Sequence, residues 1–409
     1  MKKFLSLSIL LLFVFTSVCL TAPTALGASE SEADDRQLLV VSDMGVHSTH
    51  PAGSLPAIRD AILAEADMIR LALQKTADGV FILSEHTDLS FMCDTDATPV
   101  SQKNWSEIQN LRLRERTGGN TPLTEETLMN LTAVINTFGD RTTFLLDAPW
   151  EERDALYQAV QETEHPESCV FVLRTSAKKA VEWKNALHTD IQFMVYEKTN
   201  IVFTAISAAK TLANEENGYL WLATSNHYGM IFNDIVTRRF SSLRGVMLQF
   251  TDPLECGKRQ DTASYWEDVV ARGYNMICTD DVGGCRDFVS KSNTARQELT
   301  DLLRDIDANW TLPDFSGTAF SDYRFRYNNA YAQAKKLSLQ AFSGFDACKS
   351  AAYDLRTVTR EIDENYAALA SGSAGRTITP ARIGIASAAA AVFIGFEWFI
   401  HKHRGKRKN

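Results

Sequence analysis

Eight short apolar runs, at 38–41, 68–73, 144–146, 170–173, 193–196, 219–223, 246–250 and 276–279, recur along the chain with helical stretches between them. A strand with one wet face alternates polar and apolar residues; these runs are hydrophobic almost throughout, broken chiefly by Arg70 and Gln249, as strands covered on both faces require. Eight of them at this spacing predict an α/β fold, a TIM (β/α)8 barrel whose functional side chains sit at the C-terminal ends of the strands. A ninth run, 79–84, follows the second through Asp78-Gly79 with no room for a helix. It is expected to fold back as an antiparallel hairpin partner.

After residue 290 the period becomes helical: Leu299, Leu302, Leu303 and Ile306, then Tyr323, Tyr327, Tyr331 and Ala334, then Phe345, Cys348, Ala352, Leu355, Val358 and Ile362. Three amphipathic helices predict a small three-helix bundle over 291–372, following the barrel at 38–290. The chain of 409 residues, 45% hydrophobic, is long enough for both cores.

The two ends speak to location. Lys2 and Lys3 precede an apolar run and the small residues Ala25, Gly27 and Ala28, the layout of a signal peptide over 1–28. Residues 383–400 are apolar apart from Ser387 and Glu397, long enough to span a hydrocarbon core, and 401–409 form a basic tail. Basic residues beside a span stay cytoplasmic, which predicts a single-pass type I protein of the cell membrane with its barrel outside. Because both ends are basic, the part between them is more acidic than the net charge of -9 implies. Such a surface repels phosphate-rich polymers, so nucleic acid is not an expected partner. Six cysteines remain after the leader, at 93, 169, 256, 278, 285 and 348, and none lies in a C-x2-C pair. Cys256 and Cys285 each follow a candidate strand in neighbouring positions and are the expected disulfide, while Cys278 is expected to be a buried thiol.

Between 43 and 80 the chain reads Asp43-Met44-Gly45, Pro51-Ala52-Gly53-Ser54, Arg70-Leu71-Ala72 and Gln74-Lys75-Thr76-Ala77-Asp78-Gly79-Val80. In spacing, and without a gap, this resembles the opening of the glycerophosphodiester phosphodiesterase family: His-Arg-Gly, Pro-Glu-Asn-Thr, Glu-x-Asp and Gln-x-Thr-x-Asp-Gly-Val. Pro122-Leu123-Thr124-Glu125-Glu126 resembles its Pro-Thr-Leu-Glu-Glu, and Gly273 with Ile277-Cys278-Thr279-Asp280 its closing segment. The resemblance covers 38–290 and implies a TIM barrel with the hairpin insertion, and a phosphoric diester hydrolase activity in lipid metabolism. The helices after it resemble the three-helix repeats of extracellular Gram-positive wall proteins, which implies either a spacer or a ligand-binding module.

Phosphodiester cleavage needs a divalent ion on oxygen ligands, an acid and a base. The resemblance places the family's catalytic histidines on Asp43 and Glu85, with His86 one position later, and its arginine on Met44. Its metal-binding Glu and Asp fall on Arg70 and Ala72, and its third metal carboxylate on Asp147. A cation where a ligand should point repels a metal, so Arg70 is expected to pair with Asp43 or Asp147, with no cofactor bound; the alternative is Ca2+ or Mg2+ on Asp43, Glu85 and Asp147. His47, His50 and His86 are expected near the mouth as loop histidines. These substitutions imply a pseudoenzyme, a membrane-anchored binding or scaffolding module for a cell-envelope ligand or protein partner. The alternative is an active phosphodiesterase using the substituted acids.

Overall fold

The computed structural model describes residues 36–370 apart from 188, 216–217, 226–229, 233, 252–259 and 315–317. The expected leader, the apolar run 383–400, the basic tail and Cys256 lie outside the described residues. Among the described residues no helix is long and apolar enough to cross a membrane.

All eight predicted runs are strands: β1 (Leu39–Asp43), β2 (Met68–Lys75), β6 (Thr143–Asp147), β7 (Cys169–Leu173), β8 (Gln192–Lys198), β9 (Gly218–Thr224), β10 (Gly245–Phe250) and β11 (Met276–Thr279). Each pairs in parallel with its neighbours, and β1 pairs with both β2 and β11, so the sheet closes into a ring of eight. The inner face is filled by alternate residues, among them Val41, Met68, Leu145, Val172, Met194, Trp221, Met247 and Met276, so the interior is a packed core. The residues between them, such as Val40, Ile69, Phe144, Phe171, Phe193 and Leu220, face outward onto Ile58, Val134, Val160, Trp183 and Leu212 of the helices. Burial on both faces explains the predominantly apolar runs.

The ninth run is β3 (Phe81–Leu83), antiparallel to β2 with Leu73 opposite Leu83. Gly79, at φ 87°, turns the connecting loop, where the Thr76 hydroxyl donates to the Asp78 carboxylate and accepts from the Val80 amide. A small layer follows the hairpin: Ile82, Leu89, Met92, Cys93, Val100, Ile108, Leu113 and Leu128 bury one another, and β4 (Arg112–Arg114) pairs with β5 (Leu123–Thr127).

Two features depart from the sequence reading. The helix expected after 290 begins at Val282 and runs to Asn309 without a break, since no Gly or Pro interrupts 285–309. Cys285, expected to pair with Cys256, is instead a free thiol, 0% exposed in the main core, because the helix turns it inward toward the barrel. Burial pushes this thiol up to about 12, where it stays neutral.

The described residues divide into two compact units, one comprising 36–300 with 336–349, the other 301–335 with 350–370. The second takes the end of the helix Val282–Asn309 and most of Thr318–Leu339 and Phe345–Glu364. Its core holds Phe320, Tyr323, Val358, Ile362 and Leu369, and the Trp310 indole N–H donates to Asp363 at 3.0 Å.

Candidate functional site

The site is built at the C-terminal ends of four neighbouring strands. Asp43 is the last residue of β1, Arg70 stands beside it on β2, and Ala72 two residues on is level with Asp147, the last residue of β6. Asp43 and Arg70 fall on inner positions of their strands, continuing the alternation from Val41 and Met68. Glu85 arrives from the hairpin, just past β3.

The chain after β1 is shaped to bring these groups together. Met44 takes the left-handed region at φ 55°, is 2% exposed, and accepts the Ala72 amide on its sulfur at 3.1 Å. The side chain following Asp43 is thus turned into the core rather than into the mouth. Gly45, at φ 88°, passes so close to the next helix that a Cβ would lie 2.6 Å from the Ala57 carbonyl carbon. Only glycine tolerates both the angle and the approach.

Arg70 occupies the point on which three carboxylates converge. Its Nη1 donates to Asp43 Oδ1 at 2.5 Å and to Glu85 Oε1 at 2.9 Å, and its Nη2 lies 2.9 Å from Asp147 Oδ2. A second arginine, Arg174, follows β7 and donates from Nε and Nη2 to the two oxygens of Asp147, both at 2.7 Å. The Arg174 guanidinium lies 4.3 Å from the centre of the Tyr196 ring, and Trp221 stands edge-on to Tyr196 at 5.0 Å.

These contacts set the protonation states. Burial disfavours charge on Arg70, but the carboxylates of Asp43, Asp147 and Glu85 outweigh it and hold the guanidinium well above its ordinary range. Burial pushes Asp147 up, yet the bonds and charges of Arg174 and Arg70 win and keep its carboxyl below the usual value. Asp43 moves the other way. Burial and the neighbouring charges of Glu85 and Asp280 raise it against the pull of Arg70. Two carboxyls of one site are thereby driven apart.

The histidines have separate partners. His47 Nε2 meets Asp280 Oδ1 at 2.7 Å; burial opposes its charge, but that bond and the charges of Asp280, Asp43 and Glu85 raise it overall. His50 lies 3.2 Å from Asp60. His86 packs its ring on Phe91, 4.8 Å between centroids, while its amide turns onto Ser84. The mouth therefore joins Asp43, Arg70, Glu85 and Asp147, places His47 at its rim, and leaves His50 and His86 with other partners. Arg174 was not singled out from the sequence, although Val170, Val172, Arg174 continues the inward alternation of β7 by one step. Beside the mouth lies a cavity of about 640 Å³ lined by His47, Ser48, Asp60, Arg116, Asp261 and Asp280 among others.

Fold and site together define a closed (β/α)8 barrel with a hairpin after its second strand and a carboxylate-arginine network at its C-terminal mouth. No family model and no curated protein matches the chain. Its structural neighbours are glycerophosphodiester phosphodiesterases. One, from Parabacteroides distasonis, is 18% identical, with 63% of this chain and 88% of that one aligned and a TM-score of 0.48. A second, from Galdieria sulphuraria, is 14% identical over 62% of this chain and 98% of its own, with a TM-score of 0.48. A third is a phosphodiesterase from Oleispira antarctica, solved in complex with the product sn-glycerol-3-phosphate, 14% identical over 62% of this chain and 97% of its own at a TM-score of 0.47.

Proposed function

We propose that this chain is a barrel of the glycerophosphodiester phosphodiesterase family whose mouth binds a ligand without cleaving it. The observation that carries this reading is Arg70 among Asp43, Glu85 and Asp147. A divalent ion would need these oxygens at about 2.0–2.6 Å, and the cation already standing among all three carboxylates cannot lose its charge and repels it. Ala72 offers no oxygen, and the Met44 side chain is buried. The residues present therefore do not fit Ca2+ or Mg2+, and no metal-assisted step is derived for them. The family assignment rests on the ordered motifs from Asp43 to Asp280.

The expected context is the outer face of a cell membrane, with 383–400 as anchor and the helices over 291–372 as a spacer that resembles wall-protein repeats. In that setting the barrel is a binding or scaffolding module. One observation favours the alternative of an active phosphodiesterase: Asp43 and Asp147 are pushed in opposite directions, the pattern of an acid and a base. The two readings part on a direct assay. Purified chain should release no glycerol 3-phosphate from glycerophosphocholine, and calorimetric titration with calcium or magnesium should show no uptake at the mouth. Turnover abolished by Asp43→Asn would transfer the function to the enzyme reading.

A further inference from the structure

We propose that the mouth, with the cavity beside it, takes a neutral polyhydroxylated ligand of the sugar class; this rests on the reading of the mouth as a binding site. Its unused hydrogen-bonding capacity is mixed. Asp43 and Glu85 each give one oxygen to Arg70, and the other oxygen of each has no bond among the described residues. Arg174 spends Nε and Nη2 on Asp147, which leaves its Nη1 without a bond among the described residues, with 38% of the side chain exposed. The Trp221 indole N–H, buried beside the two arginines, likewise has no partner among the described residues. Carboxylates clamped by arginine are fixed acceptors, and free guanidinium N–H groups are fixed donors. Hydroxyl groups, which donate and accept at once, match such a set.

Charge narrows the class further. Two arginines face three carboxylates, so the network is close to balance. A phosphate would meet the open oxygens of Asp43 and Glu85, and a divalent cation would meet Arg70. A neutral ligand meets neither penalty.

The cavity extends the same chemistry. His47 and Asp280, in contact at 2.7 Å, line it, and His47 also feels the charges of Asp43 and Glu85 at the mouth. Ser48, Thr117, Asp60 and Asp261 add hydroxyl and carboxylate groups, and Arg116 adds a guanidinium, beside the apolar Val46 and Val282. At about 640 Å³ it falls within the ~300–1,000 Å³ range of small-molecule sites.

Saturation-transfer NMR on the purified full-length chain tests this, with glucose, N-acetylglucosamine and maltose as neutral probes and glycerol 3-phosphate as the charged one. At least one neutral sugar should bind. Its affinity should fall at least tenfold in Arg174→Met and in Glu85→Gln, both checked for an unchanged circular dichroism spectrum, and should be unmoved in His86→Gln. Binding of none of the three sugars, or binding indifferent to both mouth variants, overturns the proposal. Binding of glycerol 3-phosphate alone, lost in Arg174→Met, removes the sugar class and leaves the binding reading standing. Hydrolysis of glycerophosphocholine removes that reading as well.

Discussion

Arg174 and Asp147 form a two-pronged pair, Nε to Oδ1 and Nη2 to Oδ2, each at 2.7 Å, on a carboxylate that also accepts from Arg70. Asp147 is 5% exposed, so its charge depends on these two cations. A double-mutant cycle with Arg174→Met and Asp147→Asn should give a coupling energy above about 1 kcal/mol, since residues in one ion-pair network couple strongly. Additive single effects would mean that the pair contributes little to the folded state.

Removal of Arg70 should cost more. Its side chain is 12% exposed and serves three carboxylates at once. Arg70→Ala strands those charges and should destabilise the fold by about 3 kcal/mol, the lower end for a broken buried pair. The acids would then lack a counter-ion, so calcium should raise the melting temperature of Arg70→Ala while leaving the wild type unchanged. Thermal denaturation with and without calcium reads both effects.

The His47–Asp280 contact predicts a pH dependence. The folded histidine lies above its ordinary value of 6.5, because Asp280 and the nearby carboxylates outweigh burial. A raised histidine contributes stability that is fully present below 6.5 and is lost as the pH climbs through the folded value. Urea unfolding of wild type and His47→Gln across about pH 5.5 to 8.5 should show the wild-type advantage shrinking toward alkaline pH. Parallel profiles would mean that the contact carries no charge linkage.

Gly45→Ala should destabilise by more than about 1 kcal/mol, because the residue sits at φ 88° and its Cβ would collide with the Ala57 backbone. Gly79→Ala provides the comparison: the angle is similar, at 87°, but nothing lies within 4 Å of the added carbon. A Gly45→Ala variant no less stable than Gly79→Ala would show that the loop after β1 can move away from the helix.

The barrel was legible in the chain because strands buried on both faces must be apolar throughout, and runs such as 170–173 and 219–223 declare this without reference to anything distant. The hairpin was legible for a similar reason: Asp78-Gly79 is a local turn signal followed at once by a strand. The position of Arg70 between acids followed from strand order, since Asp43 and Asp147 end the strands on either side of it. What the tertiary structure alone decided concerns long-range neighbours. Arg174 reaches Asp147 across 27 residues, a pairing that no local period reports. The sulfur of Met44 on the Ala72 amide, and the burial of Cys285 away from any disulfide, depend on where a turn or a helix face points. The packing of the His86 ring on Phe91, in the loop after β3, likewise depends on where that loop turns.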